Sequence, residues 1–128
     1  MTVGAVAFVG DGISAEAAAD LSSLQFRFMK MSGVKVDKVT AAGDVFIGIL
    51  QNKPTSGKTA SVKVMGGSKL EVDAGTDIAA GDQLTSDSVG RGIKTTTDKN
   101  TCGAIALEAA TNTGEIISVL IVNYAVAT

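Results

Sequence analysis

Apolar and polar residues alternate along much of the chain, beginning about a fifth of the way from its start. Alternation of this kind places successive side chains on opposite faces of a half-buried β-strand. Residues 24–29 are predicted to form such a strand, with Leu24, Phe26 and Phe28 on one face. A tight turn at Ser32-Gly33 then predicts a β-hairpin, whose second strand comprises residues 34–39.

Glycine-containing turns separate the strands that are predicted in the rest of the chain. Residues 60–64 and 69–72 flank Gly66-Gly67 and predict a second hairpin. Residues 45–50 form an apolar run that is too short for a typical helix and rich in branched side chains, which favours a buried strand. Core strands are also predicted at residues 104–107 and 116–122, and short, partly exposed strands at residues 83–85 and 93–95. The pattern as a whole predicts an all-β fold, such as a compact small barrel of short strands.

Residues 1–24 lack this rhythm and are rich in Ala and Gly. They are predicted to form an N-terminal arm, and residues 25–128 are predicted to form a β-domain. Ser14 is expected to cap a short helix that runs through Ala19. So few residues make a marginal helix, which needs a surface to lie on. The alternative is that residues 3–9 form a strand of the body.

The predicted arm carries apolar side chains that cannot complete a core of their own. A segment of this kind tends to become ordered on a neighbouring surface, where contacts offset the backbone entropy that it loses. The side chains predicted to make such a contact are Val3, Val6, Phe8, Val9 and Ile13.

Composition and charge narrow the classes of function. The 128 residues suffice for one modest core, and 45% of them are apolar. The formal net charge is −2 and the 11 Lys and Arg residues are scattered, which argues against a nucleic-acid partner. No apolar run approaches the roughly 20 residues of a membrane helix, and no basic residues precede the apolar start as they do in a secretory signal. A soluble protein made in the cytoplasm, without a membrane partner, is therefore expected.

Residues that could carry catalysis are scarce. The chain contains no histidine, so a serine or cysteine nucleophile lacks its usual base. Cys102 is the single cysteine and is predicted to pack as a small apolar residue at a strand start. Gly57-Lys58-Thr59 looks like the end of a phosphate-binding loop, but Asn52 stands where that loop needs a glycine. We therefore predict an inter-strand loop here, and no catalytic or cofactor-binding residue anywhere in the chain.

Four aspartates lie close enough in sequence to be considered as calcium ligands, namely Asp73, Asp77, Asp82 and Asp87. They lack the alternating spacing and the closing glutamate of an EF-hand loop. Zinc would require histidine or more than one thiol. Since Asp is common in turns, these residues are predicted to be turn carboxylates, and no metal is expected.

A series of short stretches is informative through its order and spacing. The stretches are residues 18–22, 25–28, 48–54, 60–64, 80–87, 103–110 and 114–117, with Gly57 and Gly90-Arg91 between them. The most distinctive is Leu50-Gln51-Asn52-Lys53-Pro54. In this order they resemble the small decoration, or cement, proteins of tailed-bacteriophage capsids. The resemblance covers about residues 18–122, and residues 1–17 lie outside it.

The resemblance implies a compact β-fold similar to the β-clip or β-tulip domains of head decoration proteins, without enzymatic activity. It also implies a structural protein on the outer surface of the virion, bound to the major capsid protein and assembled as a homotrimer. The apolar residues of the arm would then contact the capsid or a sister subunit. One alternative is a carbohydrate- or host-surface-binding module of a virion, although the aromatic platforms that sugars need are scarce here. A further alternative is an enzyme or an enzyme-regulatory β-domain that uses the Asp-bearing loops.

Overall fold

Short antiparallel strands make up the regular structure of the chain, which a computed structural model describes over residues 6–75, 77–97 and 99–126. In chain order they begin with β1 (Val6–Val9), β2 (Gly12–Glu16), β3 (Phe28–Ser32), β4 (Lys35–Lys38), β5 (Phe46–Leu50) and β6 (Thr59–Lys63). They continue with β7 (Gly66–Glu71), β8 (Gln83–Ser86), β9 (Gly92–Lys94), β10 (Thr101–Ala106) and β11 (Ile116–Ala125). No helix occurs within the described ranges, which confirms the predicted all-β class. Accordingly, these ranges hold no helix of the length and apolar character needed to cross a membrane.

The strands form two antiparallel sheets. Sheet I has the order β1-β2-β6-β5-β3-β4, and sheet II has the order β7-β11-β10-β8-β9. Sheet I curls, so that Ala17, just after β2, forms an isolated bridge with Val36 of β4. The neighbouring Ala18 N donates to Val36 O at 2.8 Å. This bridge brings the end of β2 close to β4, but it is not a full strand ladder. Both sheets therefore remain open, and the predicted small barrel is not closed.

Two apolar cores stabilise the sheets. The core of sheet I lies inside its curl and contains Ile13, Ala15, Ala17, Leu21, Met29, Val36, Leu50, Ala60 and Val62. The inter-sheet core joins residues of sheet I to residues of sheet II, and includes Phe28, Ile49, Leu70, Val72, Leu84, Ala104, Ala106, Ile117 and Val119. Because successive side chains of a strand point to opposite faces, Phe28 and Met29 place β3 in both cores. The middle of sheet I is therefore buried on both of its faces.

Several predictions from local pattern are confirmed. Strands β3 and β4 form the first predicted hairpin, and Gly33 takes a φ of 62° in the turn between them. Strands β5, β8, β9, β10 and β11 lie where the apolar runs and short alternations placed them. Cys102 is fully buried near the start of β10, as predicted.

The strand predicted at residues 24–29 begins only at Phe28. Phe26 has a φ of 68°, in the left-handed region that residues other than glycine seldom adopt. In this conformation Phe26 N donates to Leu50 O at 2.8 Å, and Phe26 O accepts from Glu71 N at 2.7 Å. These bonds tie the segment to both sheets in place of a strand ladder.

The predicted second hairpin is wrong, because its strands β6 and β7 lie in different sheets. Strand β6 is paired on both edges, with β2 and with β5, while β7 pairs with β11. Glycines allow the close pairing of β6: a Cβ at Gly12 would lie 2.6 Å from Val62 O, and one at Gly48 would overlap Lys63 O. Gly66, with a φ of 85°, stands where the chain crosses from sheet I to sheet II.

The short helix predicted from Ser14 to Ala19 is also wrong. This part of the chain is strand β2 followed by the bridge at Ala17. Ile13 and Ala15 are buried in the core of sheet I, and Glu16 is exposed. Burial with a period of two, together with pairing to β6, outweighs the weak tendency of so short a segment to form a helix.

The strand considered as an alternative for residues 3–9 is present from Val6 onward, where β1 pairs with β2. The division of the chain into an arm of residues 1–24 and a β-domain of residues 25–128 stays a prediction. The pairing of β2 with β6 does cross that boundary, so we expect the removable part of the arm to be shorter.

Candidate interaction surfaces

Strand β1 is an edge of sheet I and carries no charge. A free edge exposes unpaired backbone N–H and C=O groups, which natural proteins usually protect with charged side chains. The other edge strands, β4, β7 and β9, follow this rule and contain Lys35, Lys69 and Lys94, respectively. The sequence Val-Ala-Phe-Val of β1 offers no such protection. This edge is therefore suited to receive a further strand.

The side chain of Phe8 is 85% exposed. Phe8 lies directly opposite Ile13 in the pairing of β1 with β2, so the two side chains share a face of the sheet. Ile13 is buried in the core of sheet I and Val6 packs against that core. Of the other predicted contact residues, Val9 belongs to β1 and Val3 lies outside the described residues. The hairpin is thus anchored by Ile13 and presents Phe8.

A second apolar surface covers the outer face of sheet II. Leu70, Ile117 and Val119 face the inter-sheet core, so the alternate residues of β7 and β11 face outward. We call the outward-facing Ile116, Leu120 and Tyr124 of β11 the β11 strip; they are 49%, 42% and 42% exposed, respectively. Leu107, which donates from its backbone N to Ser118 O at 2.9 Å, lies beside the strip and is 54% exposed. The predicted core strand is present here, but its second, outward apolar face was not predicted.

The neighbouring strands leave the β11 strip uncovered. Gly67 of β7 lies directly opposite Leu120, and a glycine offers no side chain to shield it. On the other side, Ile105 of β10 lies opposite Leu120. Tyr124 Oη donates to Gln83 Oε1 at 2.7 Å, which fixes the ring at one end of the strip. The result is a surface of exposed apolar side chains, interrupted at Ser118, of the kind that marks an interaction site.

An ion-pair cluster joins the two sheets beside Ile116, which lies directly opposite Glu71. Glu71 Oε2 accepts from Arg27 Nη2 at 3.1 Å and from Arg91 Nε at 2.6 Å. The hydrogen bond to Glu71 raises the pKa of Arg91 above its ordinary value. The Arg27 and Glu71 side chains are only 14% and 15% exposed, so the cluster is partly protected from water. It links the segment before β3 to β7 and to the loop before β9, and its residues are too far apart in sequence for local pattern to reveal it.

Three of the four aspartates that could be calcium ligands, all except Asp77, accept hydrogen bonds from loop residues. Asp82 accepts from Ala79 N at 2.9 Å, and Asp87 accepts from the backbone N of Val89 and of Arg91 at 2.9 Å each. Asp73 accepts from the Thr113 hydroxyl at 2.6 Å. Across residues 6–75, 77–97 and 99–126, no three His, Cys, Asp or Glu side chains come together in a way that could hold a metal ion.

A cleft of about 310 Å³ lies between the loop before β5 and sheet II, lined by residues such as Phe46, Ser86 and Asn100. The carboxylate in this cleft, Asp44, accepts hydrogen bonds within the loop before β5. Backbone bonds from Thr40 and Ala41 and the Lys30 ammonium at 3.0 Å lower the pKa of Asp44 to about 2. This carboxylate is thus engaged within the fold, and the two apolar surfaces are the stronger candidates for function.

Comparison with known proteins adds a family and a related fold. A family model described as phage cement protein matches residues 17–121, nearly the range of the sequence resemblance. The crystal structure of head fiber gp8.5 N base in bacteriophage phi29 is similar in fold, with a TM-score of 0.66 and 18% sequence identity. The alignment covers 91% of this chain and 98% of that chain. Among curated proteins, none gives a significant match.

Proposed function

The chain belongs to the phage cement protein family, whose members are structural proteins of the virion, and we propose that it binds the outer surface of an assembled phage head. There it bridges neighbouring subunits of the major capsid protein and stabilises the shell against the pressure of the packaged DNA. The protein is made in the host cytoplasm and acts on the virion surface. This role requires no catalytic step, no cofactor and no metal.

The observation that carries the proposal is the uncharged edge of β1 with its exposed Phe8. An extended segment of a capsid subunit can add to this edge through backbone hydrogen bonds. The ring of Phe8 then supplies the buried aromatic anchor that dominates many protein interfaces. Val3, Val6 and Val9 belong to the same proposed contact, and Ile13 contributes by holding the hairpin to the core of sheet I.

Many weak contacts repeated over a lattice give this kind of protein its strength of attachment. We propose that the protein acts as a homotrimer, so that each bound particle engages three capsid sites at once. Once one site is occupied, the others bind at a high effective concentration, which raises the overall affinity without any single strong site. A cyclic threefold contact also closes the assembly and prevents filaments.

The proposal predicts that Phe8→Glu weakens attachment to heads by about 30-fold or more. The substitution removes the aromatic anchor and places a charge on the edge, which opposes strand addition. Because Phe8 is exposed, the variant should fold as the wild type does. Co-sedimentation with undecorated heads, over a range of protein concentrations, measures the affinity.

Val45→Glu is the matched control, because Val45 is 84% exposed and lies before β5, away from the β1 edge. It should bind heads with nearly the wild-type affinity. Equal binding by the Phe8 variant and the wild type would rule out the β1 edge as the capsid contact. Failure of the wild-type protein to bind any head would rule out the proposed function itself.

A further inference from the structure

We propose that copies of this chain associate through the outer face of sheet II, with the β11 strip of each copy packed around an axis that runs along β11. The occupant of this apolar face is thus another copy of the same chain. The inference deepens the proposed function and rests on it only for the number of copies, which is three.

The two exposed sheet faces of the molecule differ in character. On β2 and β6, Ile13, Ala15, Ala60 and Val62 face the core of sheet I. The alternate positions of these strands present mainly polar side chains to the outside, namely Ser14, Glu16, Thr59, Ser61 and Lys63. A polar outer face is the usual arrangement for a sheet that meets water. The outer face of sheet II instead presents Ile116, Leu120 and Tyr124, which indicates that it is covered in the assembled state.

Charge complementarity identifies the occupant. Ser118 stands at the middle of the β11 strip, between two residues of opposite charge. Lys69 Nζ of β7 donates to Ser118 Oγ at 2.7 Å, and on the β10 side Glu108 Oε2 accepts from Ser118 N at 3.2 Å. Both side chains are exposed, and neither has an ion-pair partner among the residues that the structure describes. Beside Ser118 the strip therefore has a positive charge on the β7 side and a negative charge on the β10 side, each hydrogen-bonded to Ser118 but outside any ion pair of the described residues.

Rotation about an axis along β11 brings unlike flanks together. In such an arrangement the Lys69 flank of one copy meets the Glu108 flank of the next, while the apolar side chains pack near the axis. Rotation about an axis perpendicular to the strand would instead place like charges opposite each other. Three copies around the axis close a ring in which every apolar strip and every charged flank is used. The proposed capsid contact at β1 lies in the other sheet.

Leu120→Lys tests the apolar part of this interface. A charge at the centre of a buried apolar contact should weaken association by about 30-fold or more. Sedimentation velocity over a concentration series should show a trimer for the wild type and a monomer for this variant. Val45→Lys, the same change at a more exposed apolar residue outside sheet II, should remain trimeric. Circular dichroism should show that both variants are folded, since both positions are exposed.

Charge reversal tests the orientation of the copies. Lys69→Glu and Glu108→Lys should each weaken association by about 5-fold or more, because each places like charges opposite each other. The double variant K69E/E108K should recover to within about 2-fold of the wild type. Recovery is not expected if the two residues act only within one chain at Ser118.

Three outcomes would contradict association through the β11 strip. A wild-type protein that stays monomeric, a Leu120→Lys variant that stays trimeric, or a double charge reversal without recovery would overturn it. Head binding is measured separately, so the two proposals can fail independently. Binding to heads with an oligomeric state insensitive to Leu120 would leave the proposed function standing. Trimers that depend on Leu120 but bind no head would leave only the interface.

Discussion

Deletion of residues 2–17 should abolish cooperative folding, whereas deletion of residues 2–10 should leave a folded protein. The longer deletion removes β2, which pairs with β6 from Gly12↔Lys63 to Glu16↔Thr59. It also removes three buried side chains of the sheet I core, whose burial contributes roughly 3–5 kcal/mol. That is comparable to the whole free energy of unfolding of a small domain, which is about 5–15 kcal/mol. Thermal unfolding followed by circular dichroism distinguishes the two outcomes.

The shorter deletion is the matched control, because it removes β1, whose strand partner is β2. We expect a midpoint of unfolding only about 5 °C below that of the full chain, together with loss of attachment to heads. A cooperative, wild-type-like unfolding transition after deletion of residues 2–17 would show that the boundary near residue 24 is correct. It would also show that β2 is dispensable for the rest of the fold.

Gly103→Ala should destabilise the protein by about 3 kcal/mol, because the inter-sheet core has no room for a methyl group there. A Cβ on Gly103 would overlap the ring of Phe46 and lie 3.0 Å from Phe28 Cε1. These rings are themselves in contact, with centroids 4.5 Å apart, so neither can move freely. The midpoint of thermal unfolding should fall by roughly 10 °C.

Two comparisons test whether the loss of stability in Gly103→Ala comes from overlap of the added methyl group with the rings of Phe46 and Phe28. Gly75→Ala should change stability little, since its added Cβ would meet only Asp73 Oδ1, at an ordinary 3.8 Å. In a Phe46→Leu background, Gly103→Ala should cost markedly less than in the wild type, because the smaller side chain leaves space for the methyl group. Equal costs in both backgrounds would contradict this packing of the inter-sheet core.

The parts of the fold that depend on neighbouring residues could be predicted from the sequence. The hairpin of β3 and β4 is an example, because alternation on both sides of Ser32-Gly33 specifies strands, turn and pairing together. The turn at Gly66-Gly67 gave the same local signal but separates two sheets. Strand β6 cannot pair with β7 because β2 and β5 occupy both of its edges. The pattern within residues 60–72 contains no sign of these two competing strands.

The candidate surfaces were predictable only in part. The apolar character of β1 is evident in the sequence and predicts Phe8 as a contact residue, but the same residues also fit the predicted arm. The left-handed conformation of Phe26 carries no sequence signal, because its cause is a pair of bonds to Leu50 and Glu71 in different sheets. The outward face of β11 did leave a trace in the sequence. Apolar residues occupy both parities of residues 116–122 around the single polar Ser118, which is typical of a strand covered on both faces.

Heating undecorated heads with and without the purified protein, while a dye reports the release of DNA, measures stabilisation of the shell directly. Heads that carry the wild-type protein are expected to retain their DNA to a temperature several degrees higher, since a ligand that binds only the intact shell stabilises it. The gain should saturate as the sites fill and should be small with Phe8→Glu. Release at an unchanged temperature from heads saturated with the protein would contradict the proposed role in stabilising the capsid.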